Sequence, residues 1–312
     1  NDGSLTVDQV VQTTGTGDIS ISATGGNSPL YITSEIDSGG DVTLSSAGDL
    51  AADGVYIQDG GSIQSGALNT SGTVTITSND NVHMDATAVI LTLASGANGK
   101  ITITADSNGD VSGTGTGEIT MVSGARVTAS GGAEIDVDAG GDITLGELNA
   151  GVVARGDVTV DSTGGSIADA NGVALNIEGD DVSMSASGGI SADIIPAGNV
   201  TLDSTVAGAN GDIDVTSLLG SLNVVTASAG TGTVVLVAED GGITDQNLAG
   251  VTNITGGAVS LTASSIIDTD VAASTSVAVM IQDAGGTAQD GNVTLRSPIG
   301  LRSVRSMQVA GT

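Results

Sequence analysis

Residues 40–50 read GDVTLSSAGDL: a glycine and an acid, then Val42 and Leu44 alternating with Thr43 and Ser45. Alternation with period two marks a half-buried strand, and Val and Thr favour that state. The Gly-Asp pair in front of it marks a turn, because Gly accepts backbone angles barred to other residues and a short Asp side chain hydrogen-bonds nearby backbone. The phrase returns as GEITM from Gly117, GDITL from Gly141, GDVTV from Gly156, GNVTL from Gly198, GDIDV from Gly211, GAVSL from Gly257 and GNVTL from Gly291. TVTIT (73–77), KITIT (100–104) and SVAVMI (276–281) repeat the alternation, and no segment carries a helical stripe.

A repeat this short cannot bury a face by itself, so each copy must stack on its neighbours. Ile101 to Ile119 and Val182 to Val200 are steps of 18 residues, and Val158 to Val182 is a step of 24. The spacing predicts an all-β fold, a right-handed parallel β-helix (β-solenoid) with coils of roughly 18–25 residues, the handedness following from the rule for parallel strand crossovers. No boundary interrupts the texture, so residues 1–312 are expected to form one continuous solenoid. Both ends read as uncapped strands, GSLTV (3–7) and SVRSMQV (303–309), and the chain starts at Asn1. These features suggest a segment of a longer protein or a fibre subunit.

Composition fits that reading and removes several others. With no Trp or Phe and only Tyr31 and Tyr56, the core must be a narrow one of Val, Ile, Leu and Ala. Acids number 36 against 6 bases, a formal charge of −30, which repels nucleic-acid phosphates and anionic membranes. Asp supplies 30 of the acids, which places the charge at turns. There is no Cys, hence no disulfide and no thiolate metal site, and no apolar run approaches the roughly 18 residues of a membrane span.

The G-[DN]-[VI]-[TS]-[LIVM] phrase, a second refrain of GGSI at Gly60 and Gly164 or GGIT at Gly241, and the Cys-free, aromatic-poor, Asp-rich texture resemble the shaft repeats of filamentous haemagglutinin and related giant bacterial surface proteins. The resemblance covers nearly the whole chain. It implies a parallel β-helix shaft at or outside a bacterial cell surface, an extracellular location, and adhesion as the natural neighbouring activity. The NPNG-type secretion motif of such adhesins is absent from the sequence.

Few residues carry chemistry. Arg155, Gly156 and Asp157 spell the tripeptide that integrins read, a cell-attachment candidate for a host receptor, although Gly-Asp is already the repeated corner and only Arg155 is new. Asp106, Asn108 and Asp110 have the spacing of the first ligands of a calcium loop, but Val111 stands where the sharp turn needs Gly and Glu118 falls one place late. The corner acids Asp18, Asp41, Asp142, Asp157, Asp181 and Asp212 would stack like charges, a repulsion that bridging cations such as Ca2+ would relieve. No other cofactor is indicated. Asp136 and Asp138 point the same way, about 6.7 Å apart along a strand, near the separation of an inverting glycosidase pair. No cationic groove or aromatic platform accompanies them. His83 alternates with Val82 and Met84, which places it on the outer face without a nucleophile to serve. Thr-x-Thr at 73–77 and 102–104 follows strand propensity, and Asn199, Asn253 and Asn292 in N-x-T are corner residues.

The expected role is therefore a non-enzymatic structural shaft of an extracellular fibre, matrix or giant surface adhesin. An adhesive module, through the tripeptide or a carbohydrate, is the alternative, and a polysaccharide-cleaving β-helix enzyme the third reading. Residues 1–99 carry no Lys or Arg, whereas residues 291–312 carry Arg296, Arg302 and Arg305 and no acid. Head-to-tail self-association, with those arginines against the acidic first coils, is the expected partnership.

Overall fold

The computed structural model describes residues 3–48, 53–66, 72–94, 96–109, 117–151, 154–247, 250–283, 285–297 and 304–308, with the backbone alone at 96–97 and 304–308. The chain is an all-β parallel solenoid of about 11 turns with almost no helix. It divides into two compact units, Asn1–Gly179 and Asp180–Thr312. No helix among the described residues is long and apolar enough to cross a membrane.

Each turn of the first unit lays down three strands, and equivalent strands of successive turns pair in parallel to make three faces. The first face runs Leu5–Val7, Leu30–Ile32, Gly54–Ile57, Asn81–Met84, Ile119–Met121, Ile143–Leu145, Ile167–Asp169. The second runs Val11–Gln12, Glu35–Ser38, Ser62–Ser65, Val89–Thr92, Arg126–Ala129, Glu147–Asn149, Ile177–Gly179. The third runs Ile19–Ala23, Val42–Ser46, Val74–Ser78, Ile101–Thr104, Ile135–Ala139, Val158–Ser162. Period-two alternation sends one set of side chains inward, where Leu30, Val55 and Val82 stack on the first face, Ile36, Ile63 and Ile90 on the second, and Val42, Val74 and Ile101 on the third, all buried. Aliphatic side chains of one size repeat at the ~4.8 Å strand spacing, which is why the core does without aromatic rings.

The second unit follows the same plan with merged strands. Ile213–Ser217, Val234–Ala238 and Ile254–Ala263 pair in parallel along one face. Ile266–Ile281 runs through 16 residues and pairs with two later strands, Asn292–Arg296 and Val304–Gln308. Val200 and Leu202 are buried and Thr201 is half-buried, as the alternation requires.

Turn length varies more than the expected 18–25 residues. Asp181 reaches Asn199 after 18 residues, but Asn81 reaches Glu118 only after 37. Strands must match in length to pair, so the surplus goes into corners, in that turn the one between Thr104 and Ile119. Inside corners, buried hydroxyls close the backbone: Ser65, Thr92, Ser162 and Ser204 donate to the carbonyls of Gly72, Gly99, Gly141 and Gly211 at 2.9, 2.7, 2.7 and 2.6 Å.

Candidate functional site

The recurrent Gly-Asp corner joins each turn to the next. Oδ1 of Asp18 accepts the N–H of Asp41 at 2.9 Å, and Oδ1 of Asp41 accepts the N–H of Thr73 at 2.8 Å and its hydroxyl at 3.1 Å. Asn81 does the same for Glu118 at 2.8 Å and Asp142 for Ser166 at 2.7 Å. In the second unit Asp181 accepts from Asn199 and Asp212 from Thr233, each at 2.6 Å. In every case an acceptor on the earlier turn takes a donor on the later one. An amide oxygen serves as well as a carboxylate, which accounts for Asn at some corners.

The glycines have a steric reason. A Cβ on Gly40 would strike the Asp18 carboxylate and the Thr16 carbonyl, one on Gly165 the Asp142 carboxylate, and one on Gly198 the Asp181 carboxylate. None of these three has a left-handed φ. Close approach of one corner to the next, and not the turn angle suggested by the sequence, excludes a side chain.

Arg155 is tied to Glu178, Nη2 to Oε1 at 2.7 Å, and Asn149 donates to the other carboxylate oxygen at 3.0 Å. Gly156 is buried beneath the Ala133 carbonyl, and Asp157 is exposed directly before strand Val158–Ser162. The tripeptide therefore lies in a corner. Asp106 takes a left-handed φ of 59° with Gly117 and Gly140 packed on its side chain, Asn108 is exposed, and Asp110 falls outside the described residues. Among the described residues no three His, Asp or Glu side chains converge as metal ligands.

Of the three arginines expected at an assembly contact, Arg296 is held within its own unit. Its Nε donates to Asp270 at 2.9 Å, Nη2 to Asp245 at 3.3 Å, and Nη1 lies 2.7 Å from Asp268. The bond to Asp268 leads in holding the guanidinium above the ordinary arginine range, ahead of Asp270. Arg302 is outside the described residues, and Arg305 lies in strand Val304–Gln308.

On the third face Thr75 stacks on Thr102 and Thr77 on Thr104, and both columns then run into acids, Asp136 and Asp138. Lys100 bridges Glu134 at 3.2 Å and Asp136 at 3.1 Å. Burial pulls the ammonium down, but those two hydrogen bonds outweigh it and leave Lys100 above the usual lysine range. Asp138 stacks in register on Asp161. Burial, then the charges of Asp136 and Asp161, push its carboxyl up to about 6, with partial relief from Lys100. His83 Nε2 lies 2.9 Å from Asp85 Oδ1.

Two buried asparagines escaped the sequence reading. Asn176 donates to the carbonyls of Leu145 and Gly146 on the preceding turn, at 3.1 and 3.3 Å, and to Asp169 at 2.8 Å. Asn253, one of the N-x-T residues, donates to Val224 and Val225 at 3.0 and 3.4 Å and to Asp245 at 2.8 Å. Each fills the acceptors freed where a strand of the preceding turn bends. The available signal was the extension of the second refrain, I-x-D-x-N at 167–171 and 243–247, each followed by Asn-Ile at 176–177 and 253–254.

Two clefts among the described residues lie on the second face. One of about 240 Å³ has Ser123, Arg126, Glu147 and Asn171 in its wall, and one of about 400 Å³ has Thr128, Ser130 and Asn149. Arg126 is 61 % exposed and meets Glu147 through Nε alone, at 3.2 Å. No family model, curated protein or solved structure matches the chain.

Proposed function

We propose that the chain is a non-enzymatic structural shaft of an extracellular fibre, matrix or giant surface adhesin. What carries the reading is the corner ladder: the side chain repeated most regularly along the sequence is committed to the backbone of the next turn. Lys100, Arg155 and Arg296, half of the six basic residues, are likewise committed to acids on neighbouring turns. Such a chain invests its polar groups in cohesion between turns. The likeness of the phrase to the shafts of filamentous haemagglutinin-like proteins favours a bacterial cell surface.

Shafts of this kind extend by joining ends. Arg302 and Arg305 would meet the acidic first coils of another copy, a heterologous contact that salt would screen. Sedimentation and negative-stain micrographs at low ionic strength test this. Polymers that dissolve in salt and vanish in an Arg302→Glu, Arg305→Glu double variant are expected; equal assembly by parent and variant overturns end pairing.

The second-face clefts favour one further reading, an adhesive contact with a carbohydrate or a host receptor beside Arg126 and Arg155. Cell attachment that is abolished by Asp157→Glu would support the tripeptide, and attachment unchanged by it would exclude it.

A further inference from the structure

The chain has two tyrosines, no Trp and no Phe. Both tyrosines fall in one outward column of the first face, Tyr31 in register with Tyr56 one turn later, and Tyr56 in register with His83. The two phenol rings stack with centroids 5.1 Å apart and planes inclined by 27°, and the imidazole follows at 6.2 Å. Both tyrosines are half-buried, so their rings still meet solvent. The Tyr56 hydroxyl makes a long bond to the Asp53 carbonyl, 3.4 Å.

We propose that Tyr31 and Tyr56 form an oxidative cross-linking site, where a one-electron oxidant of the haem-peroxidase class joins the two rings as dityrosine and ties successive turns covalently. Each phenol gives one electron and its hydroxyl proton to the oxidant, leaving a phenoxyl radical with spin on the ring carbons ortho to oxygen. The two radicals pair at those carbons, forming one carbon–carbon bond. The hydrogens displaced there pass as protons to the phenol oxygens, and both rings regain aromaticity. The two electrons and two protons removed reduce one hydrogen peroxide to two waters.

Radical coupling needs the second radical beside the first during its lifetime. Parallel register supplies that, since it holds the two backbones at the ~4.8 Å strand spacing and makes the encounter intramolecular. In dilute solution this intramolecular encounter outruns coupling between separate chains. With no Cys in the chain, a disulfide cannot do this work. Burial, then the charges of Tyr31, Asp80 and Asp53, raise the Tyr56 phenol above its ordinary range. It is therefore neutral at physiological pH, and its proton leaves with the electron.

The test oxidises the dilute full chain with a haem peroxidase and hydrogen peroxide, with free tyrosine as a control for oxidant activity. Expected are dityrosine fluorescence in the monomer band, an intact mass lower by two hydrogen atoms, and a proteolytic fragment linking the segments around residues 31 and 56. Since the chain has two tyrosines, an intrachain dityrosine can only be this pair. Tyr31→Phe and Tyr56→Phe keep the stacked ring and should each abolish the monomer product while leaving the circular dichroism melt in place. Dityrosine confined to dimers, an unmodified monomer while free tyrosine couples, or an intrachain yield unchanged in denaturant would each overturn the proposal.

Discussion

Oδ1 of Asp41 accepts the backbone N–H of Thr73, 32 residues away in sequence and one turn away in space, at 2.8 Å. The same carboxylate takes the Thr73 hydroxyl, and its own N–H is held by Asp18 on the turn before. A corner acid is thus both donor and acceptor in a ladder that runs beside the strand hydrogen bonds. Hydrogen bonds to a carboxylate are stronger than neutral ones, so corners become fixed points and not loose loops.

Replacing the acceptor should separate geometry from charge. Asp41→Ala leaves the Thr73 N–H unpaired and should cost about 1–2 kcal/mol, whereas Asp41→Asn keeps an oxygen and should cost well under ~1 kcal/mol. Gly40→Ala drives a Cβ into Asp18 and the Thr16 carbonyl and should be worse than either. Denaturant midpoints, with hydrogen exchange of the Thr73 amide, read the order directly. Unchanged exchange in Asp41→Ala would remove the ladder from the account.

Register can be tested in the second unit. Val200 is buried and Thr201 half-buried on the same strand, so Val200→Asp should destabilise by several kcal/mol through an unpaired buried charge, and Thr201→Asp by about 0.5 kcal/mol or less. Equal melting temperatures for the two variants would contradict the assigned faces.

Asn253 should matter as much as a core residue. Its amide fills two carbonyls on the preceding turn and the Asp245 carboxylate on its own, so Asn253→Ala strands buried carbonyls and should cost about 2–3 kcal/mol. Asn176→Ala is expected to match it. A thermal melt in which either variant behaves like the parent would show that water replaces the amide.

Asp138 gives a pH dependence with a definite sign. Its carboxyl rises from 3.8 to about 6 on folding, so between those values the folded chain binds more protons than the unfolded one. This group's favourable contribution is present below the ordinary carboxylate range and is lost as pH rises through about 6. Asp138→Asn should therefore raise the melting temperature at pH 7.5 relative to the parent, with the gain shrinking as pH falls toward 4. A pH-independent difference would mean that burial, with the charges of Asp136 and Asp161, does not raise the Asp138 carboxyl.

Cations should act on the corners only by general screening. Asp18, Asp41, Asp142, Asp181 and Asp212 each already accept an N–H from the next turn, so calcium and sodium at equal ionic strength should raise the melting temperature alike. A calcium-specific rise, reversed by chelator, would instead support the bridging ion expected from stacked acids.

The β-solenoid could be read from the sequence because its two ingredients are local. Alternation in TVTIT at 73–77 forces one face inward, and a repeat too short to fold alone forces stacking, whatever the rest of the chain does. The columns of Val, Ile and Leu followed from those two facts. What a polar side chain does depends on the turn laid beside it, and that distance is set by every residue inserted between. Hence Asp41 was legible as a turn residue but not as the acceptor for Thr73, and Arg296 as a cation near an end but not as the partner of Asp245, Asp268 and Asp270. Asn253 looked like a corner residue, yet it lies buried among acceptors from the preceding turn. The stacking of Tyr31 on Tyr56 needed the register of the first face, since the 24 residues of intervening chain could as well have placed the two rings on different turns or faces. Strand formation and core identity are written in neighbouring residues; pairings between turns exist only once the coil lengths have been fixed by packing.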